Sequence, residues 1–328
     1  MPAASRKATL YVVVGLGVVS FALSPILVRW AEAAGGTSGL AVAVWRTGLA
    51  TLLLAPAALT RAREQWREWP ARDAWLTAAA GGLLGLHFVC WIESLYHTSV
   101  ASSTVLVTTS PVILAVLGYV LLGERLRAGV VAAIVCAVAG AALIAYGDAA
   151  RAVVGTLFGN ALAFGAALLA SGYLLIGRVV RQRAGWLAYV FPLYAASAVT
   201  TLAVALGQGA PLLGYDWPFY AFCLAMAAGP QLIGHGAFNY ALQSVPAALV
   251  GMLALLEPVG ASLLAFALFG EVPPLPAVVG MLVVLAATGA VVLLRRDDED
   301  GGRRHESGSP SERSGERAAA SKVAGAPE

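Results

Sequence analysis

Several side chains able to ionise or hydrogen-bond stand inside stretches that are otherwise apolar. In "ALLEPVGASLLAFALFGE", Ala254 to Glu271, Glu257 is followed by Pro258. In "VTTSPVILAVLGYVLLGE", Val107 to Glu124, Ser110 is followed by Pro111, the same design 147 positions earlier with a hydroxyl in place of the carboxylate. An ionised carboxylate at mid-bilayer depth costs roughly 2.5–3.5 kcal/mol on insertion scales unless it faces a wet cavity, finds a partner or takes up a proton. A proline cannot donate to the carbonyl four residues back, so Pro258 frees Ala254 and Pro111 frees Val107 as acceptors at the same level. Carboxylate and open carbonyl together suit a cation, an amine or a proton; the alternative for Glu257 is a structural carboxyl bonded to a neighbouring helix. The first copy offers the hydroxyls of Thr108, Thr109 and Ser110 instead, so polarity is kept and charge is dropped.

Arg46 is the one basic residue set well inside an apolar segment. It could bind a substrate carboxylate, pair with Glu257 or Glu93, or snorkel outward. Glu93 lies toward the end of its own segment. His87 and His235 have the chemistry to relay protons near neutral pH, although an isolated histidine in a helix also serves as a simple packing hydrogen bond. Asn239, with Gln231, Gln243 and Asn160, suits either the lining of a cavity or hydrogen bonding between helices. Trp91, Tyr173 and Tyr240 could form apolar walls. The cysteines Cys90, Cys136 and Cys223 are isolated from one another, so neither a disulfide framework nor a metal site is expected.

The elements that must position these residues are read from composition. Of 328 residues 59% are hydrophobic and 12% charged, against about 25% charged in soluble domains. Ten apolar segments, each long enough to cross a bilayer as a helix, are expected near 9–28, 39–59, 75–95, 101–122, 128–147, 153–177, 186–207, 217–242, 247–269 and 276–294. They are continuously apolar rather than alternating, which excludes a porin-type barrel. The first is too long for a signal peptide and is expected to remain as an anchor. After Arg296 the sequence turns polar and rich in Ser, Gly and Pro, the pattern of a disordered tail.

Basic residues set the orientation. With both termini in the cytoplasm, thirteen Lys and Arg before the tail fall on the cytoplasmic side, from Arg6 and Lys7 to Arg295 and Arg296, and only Arg29 and Arg151 fall outside. Arginine outnumbers lysine nineteen to two, a usage that suggests a GC-rich bacterial genome and therefore an inner membrane.

Aligned at the offset of 147, the stretches Leu95–Glu124 and Leu242–Glu271 match at Leu95/Leu242, Ala101/Ala248, Leu106/Leu253, Pro111/Pro258, Val112/Val259, Leu117/Leu264, Gly123/Gly270 and Glu124/Glu271. Each half holds five segments. An odd number forces the second half to enter the membrane from the opposite side, so the expected fold is an all-α polytopic membrane protein of ten transmembrane helices in two inverted-topology repeats. The expected units are a short cytoplasmic segment 1–8, repeats 9–147 and 152–294, and a tail 295–328. The Gly-Glu pairs are read as helix ends and turns rather than as cargo contacts.

The proline and Gly-Glu ends of the fourth and ninth segments, "VWRTGLA" at the start of the second and "GHGAFNYAL" in the eighth are similar to the EamA-like family of the drug/metabolite transporter superfamily. That resemblance covers residues 9 to 294. It implies a ten-helix secondary carrier, generally an exporter of small metabolites, amino acids or drugs, with cytoplasmic termini and a central cavity. Alternating access is also what an inverted repeat is suited to. The sequence holds no His-Glu-x-x-His zinc signature and no Gly-Lys-Ser/Thr phosphate loop, which disfavours an enzyme or an ATP-driven pump. An uptake carrier, a facilitator, a membrane enzyme and a structural membrane protein are the competing readings. The expected partners are a small-molecule substrate, the lipid bilayer and a coupling proton, with a homodimer left open and neither cofactor, metal nor nucleic acid.

Overall fold

The computed structural model describes residues 3–34, 38–98, 103, 106–149, 157–270 and 272–307. Fourteen α-helices and one π-helical stretch are found among them, and no strand. In chain order the first half contains α1 (Ala3–Ala22), α2 (Ser24–Ala33), α3 (Gly39–Arg61), the short α4 (Arg63–Arg67), α5 (Ala71–His97), α6 (Ser110–Leu122) and α7 (Ala128–Ala149). The second half contains α8 (Leu157–Val180), α9 (Trp186–Gly207), α10 (Trp217–Met226) running through the π stretch Ala227–His235 into α11 (Gly236–Ala241), α12 (Ala247–Ala254), α13 (Leu256–Phe269) and α14 (Leu275–Ser307). Among the described residues eight helical spans are long and apolar enough to cross a membrane, and two shorter apolar helices, Ser110–Leu122 and Ala128–Ile144, accompany them.

Outward faces carry Val116, Val120 and Leu121 on α6 and Val279, Leu282 and Leu285 on α14, all exposed. In a hydrocarbon solvent such faces need no polar cover, whereas the backbone must bond to itself, and helices satisfy that requirement internally.

The expected span 9–28 divides at Leu23, and two further spans are interrupted at matching positions of the two halves. The segment expected at 247–269 divides at Leu255, whose N–H bonds back to the Met252 carbonyl three residues earlier, 3.1 Å away. Pro258 is the cause: it has no N–H for the carbonyl four residues before it, and it fits the first turn of a new helix where none is needed. Glu257 is thereby moved from mid-helix into the first turn of α13. The matching positions of the first half repeat the device. Thr109 N–H bonds to the Leu106 carbonyl at 3.2 Å, and α6 starts at Ser110 with Pro111 in its first turn.

Both second pieces also end alike. Gly123 closes α6 at φ 67°, ψ 15°, and Gly270 closes α13 at φ 67°, ψ 17°. Each donates to carbonyls four and five residues back, Tyr119 and Gly118 in one half, Phe266 and Ala265 in the other. This left-handed cap strains any side chain with a Cβ, which accounts for glycine at both positions.

The halves pack by exchange. The α1 helix lies on the π stretch and on α13, and its counterpart α8 lies on α5 and α6. The α3 helix packs on α9 and α7 on α14, each against its own counterpart, and α6 packs on α12, the piece that precedes its counterpart α13.

The last helix continues past the compositional boundary at Arg296 to Ser307, so the expected tail begins as helix; 308–328 lie outside the described residues. Glu271 and the connection at Ser99 and Val100 lie outside them too.

Candidate substrate site

Of the expected candidates Arg46, His87 and His235 gather, with Gln231 and Tyr173, between α3, α5, α8 and the π stretch. Arg46 is 2% exposed. Its Nε donates to Gln231 Oε1 at 3.1 Å, and its guanidinium carbon sits 4.2 Å from the centre of the Phe88 ring. Of the alternatives open for it, the ion pairs with Glu257 and Glu93 are not formed: among the described residues no carboxylate oxygen comes within 4.0 Å. Glu257 does lie within electrostatic range of Arg46, as do His87, His235, Tyr173 and Tyr194. Arg46 is thus the cation around which the polar interior is arranged. Glu93, half-buried farther along α5, takes no part in this group.

Gln231 is fully buried and links several of these groups. Its main-chain carbonyl accepts the Tyr194 hydroxyl at 2.6 Å and its Oε1 accepts from Arg46. Its Nε2 is buried with no acceptor among the described residues. The π stretch that carries it contains Gly229-Pro230, and a proline that breaks the four-residue ladder permits the wider turn. Only the dipeptide Gly229-Pro230 within an apolar span signalled this distortion in sequence. Gln231 counted there among several polar candidates, and Phe88 and Tyr194 were not singled out.

His235 ends the π stretch. Its Nδ1 is 3.0 Å from the Tyr173 hydroxyl, and Phe21 and Phe88 present ring edges or faces to it at 4.7 and 5.3 Å. His87 Nδ1 lies 2.9 Å from the Ala166 carbonyl, which can only accept, so Nδ1 carries a proton and donates it. Asn239 Nδ2 donates to the His235 carbonyl at 2.8 Å, while its Oδ1 is buried without a donor among the described residues. Glu257 is half-buried at the start of α13, where the helix dipole favours a negative charge, and makes no hydrogen bond among the described residues. Ser110, at the start of α6, presents its carbonyl to Ser171 Oγ at 3.3 Å.

A second polar cluster closes one end of the bundle. Arg178 Nε pairs with Glu124 Oε1 at 2.8 Å and its Nη1 donates to the Leu242 carbonyl, also at 2.8 Å. Arg181, 1% exposed, donates to the Asn239 carbonyl at 3.0 Å, to the Ala184 carbonyl and to Gln243 Oε1 at 3.3 Å. Burial lowers the Arg181 guanidinium to about 10, so it stays a cation at neutral pH. The Gly-Glu turn after α6 is therefore an anchoring point for α8, consistent with a structural rather than a cargo role for Glu124. No metal-ligating group of His, Cys, Asp and Glu occurs among the described residues.

A bundle of apolar helices with like halves, broken helices at matching positions and a buried polar centre is the build of an integral membrane protein. Residues 9–146 and again 157–293 match the model of the EamA-like transporter family, and the chain belongs to that family. One solved structure, a crystal structure of a protein described no further, superimposes with a TM-score of 0.75 at 17% identity, over 89% of this chain and 99% of that one. At that identity the likeness concerns the fold. No curated protein matches the chain.

Proposed function

We propose that the protein is a secondary transporter that exports small organic solutes by alternating access across a bacterial inner membrane, with both termini cytoplasmic and proton movement through Glu257. The observation that carries this reading is the paired break at Ser110-Pro111 and Glu257-Pro258, which recurs at the same place in both halves beside a buried polar centre. Broken helices at the interface of inverted repeats are where such carriers bind their cargo. The exchange packing, in which α1 lies on the second half as α8 lies on the first, supports an inverted pair of five-helix repeats that can trade conformations. The basic residues at one set of helix ends support the orientation.

Glu257 answers the coupling question within this reading. A half-buried carboxylate with no hydrogen-bond donor, in range of one cation, changes its interactions whenever a helix movement alters its access to water. The experiment loads purified protein into proteoliposomes with a pool of amino acids and metabolites, imposes an inside-acid gradient or none, and identifies by mass spectrometry what crosses. A solute whose flux needs both protein and gradient is the expected result. Gradient-independent flux would convert the reading to a facilitator, and absence of protein-dependent flux would remove it.

A further inference from the structure

The polar centre is unbalanced in a way that points to the chemistry of its cargo. Arginine carries five N–H donors and no acceptor. Among the described residues Arg46 uses one of them, Nε, and its two terminal nitrogens donate to nothing. Phe88 lies against the guanidinium at 4.2 Å, which occupies a face and leaves the planar edge with its fork of N–H groups. Beside it, Gln231 is held by its Oε1, and the donor at its other end, Nε2, is buried and unused. An unpaired guanidinium edge in a nearly closed interior, beside a buried amide N–H without an acceptor, makes a costly arrangement that is relieved when a planar acceptor enters.

We infer that the transported solute is anchored by a single carboxylate, bound edge-on by the Arg46 fork with the Gln231 amide N–H beside it. This rests on the transport reading above. A carboxylate matches because it is planar, accepts only and takes two parallel N–H bonds from one guanidinium. An amine would meet donors and a like charge. A dianion is disfavoured, because Glu257 lies in range of the same cation and opposes a second negative charge. Glu257 and the unpartnered Oδ1 of Asn239 are the groups left for a donor or cationic portion of the solute.

The test uses the full chain, in detergent for binding and in proteoliposomes for flux. The probes are acetate, alanine, leucine and phenylalanine, the carboxamides of each, and succinate as the dianion. At least one monocarboxylate is expected to raise the melting temperature and to compete for uptake, with its carboxamide and succinate weaker by about 10-fold or more. Arg46→Gln should lose the preference for the acid over the amide, and Arg46→Lys should keep part of it. Gln231→Glu guards against a folding artefact: it places a carboxylate against the fork, so the protein should be at least as heat-stable as the parent yet blind to the probes. Equal binding of acids and amides, full binding by Arg46→Gln or Gln231→Glu, or no response to any monocarboxylate would overturn the inference. If a monocarboxylate binds through Arg46 and does not cross, the transport reading fails and the anchor stands; if solutes cross without regard to a carboxylate, the anchor fails and transport stands.

Discussion

Arg46 and Arg181 are 2% and 1% exposed, one within α3 and the other in the turn after α8. Arg181 spends its donors on two main-chain carbonyls and the Gln243 amide, all within the second half of the chain. With Arg178 and Glu124 it ties the end of α8 to the turns that follow α6 and α11. Arg46 makes one hydrogen bond to Gln231 and stacks on Phe88. The same side chain, equally buried, donates from all three nitrogens at the end of the bundle and from one nitrogen in its interior. The first arrangement holds a structure together, and the second leaves capacity for something that comes and goes.

The comparison breaks first on stability. Arg181→Met strips buried carbonyls of a charged donor and should cost on the order of 3 kcal/mol or more, measured as a fall in the thermal midpoint of the detergent-solubilised protein. Next comes Gly280→Ala, expected to cost roughly 1–3 kcal/mol, since a Cβ there meets the Gly140 carbonyl oxygen and lies 2.8 Å from the Ile144 nitrogen. Gly123→Ala and Gly270→Ala should each cost about 1 kcal/mol, and by similar amounts, because the two caps share one left-handed geometry. A large inequality between them would weaken the case for equivalent halves. Arg46→Gln sits at the bottom of this stability series. Removing a buried cation without an ion-pair partner should move the midpoint little, while flux falls at least about 10-fold. If Arg46→Gln melts as early as Arg181→Met, the division of labour between the two arginines is wrong.

Glu257→Gln sharpens the comparison from the other side. It keeps the shape at the start of α13 and removes the titration, so flux is expected to lose its dependence on the pH gradient while protein yield and melting stay close to the parent. The check is initial rate against internal pH, in the same vesicles for both proteins.

Local rules made much of this architecture readable. Apolar runs bounded the helices to within a few residues in most cases, because a membrane span is long and compositionally uniform. Gly123 and Gly270 were readable as helix ends because a left-handed cap depends on one residue type. The proline breaks were half-readable: Pro111 and Pro258 signalled lost hydrogen bonds, but not that each would start a new helix with Ser110 or Glu257 in its first turn. What stayed hidden was long-range. The partner of Arg46 is 185 residues away, and nothing near Arg46 in the chain distinguishes Gln231 from Glu93 or Glu257. The π stretch depends on Pro230 and also on packing against α1, so its residues read as ordinary helix. The partners of Arg181 were equally invisible, since arginines beyond a helix end look alike until their carbonyls are located.

Gly140 and Gly280 bring α7 and α14 together until backbone meets backbone, with the Gly280 main-chain oxygen 2.9 Å from where a Gly140 Cβ would stand. These are the closing helices of the two halves, and each has a lipid-facing surface on its other side. At this crossing neither helix can approach further, and pulling them apart would strip contacts that no lipid tail could replace. The crossing therefore sets a fixed spacing between the closing helices of the two halves, which a single methyl group on either glycine would have to push apart.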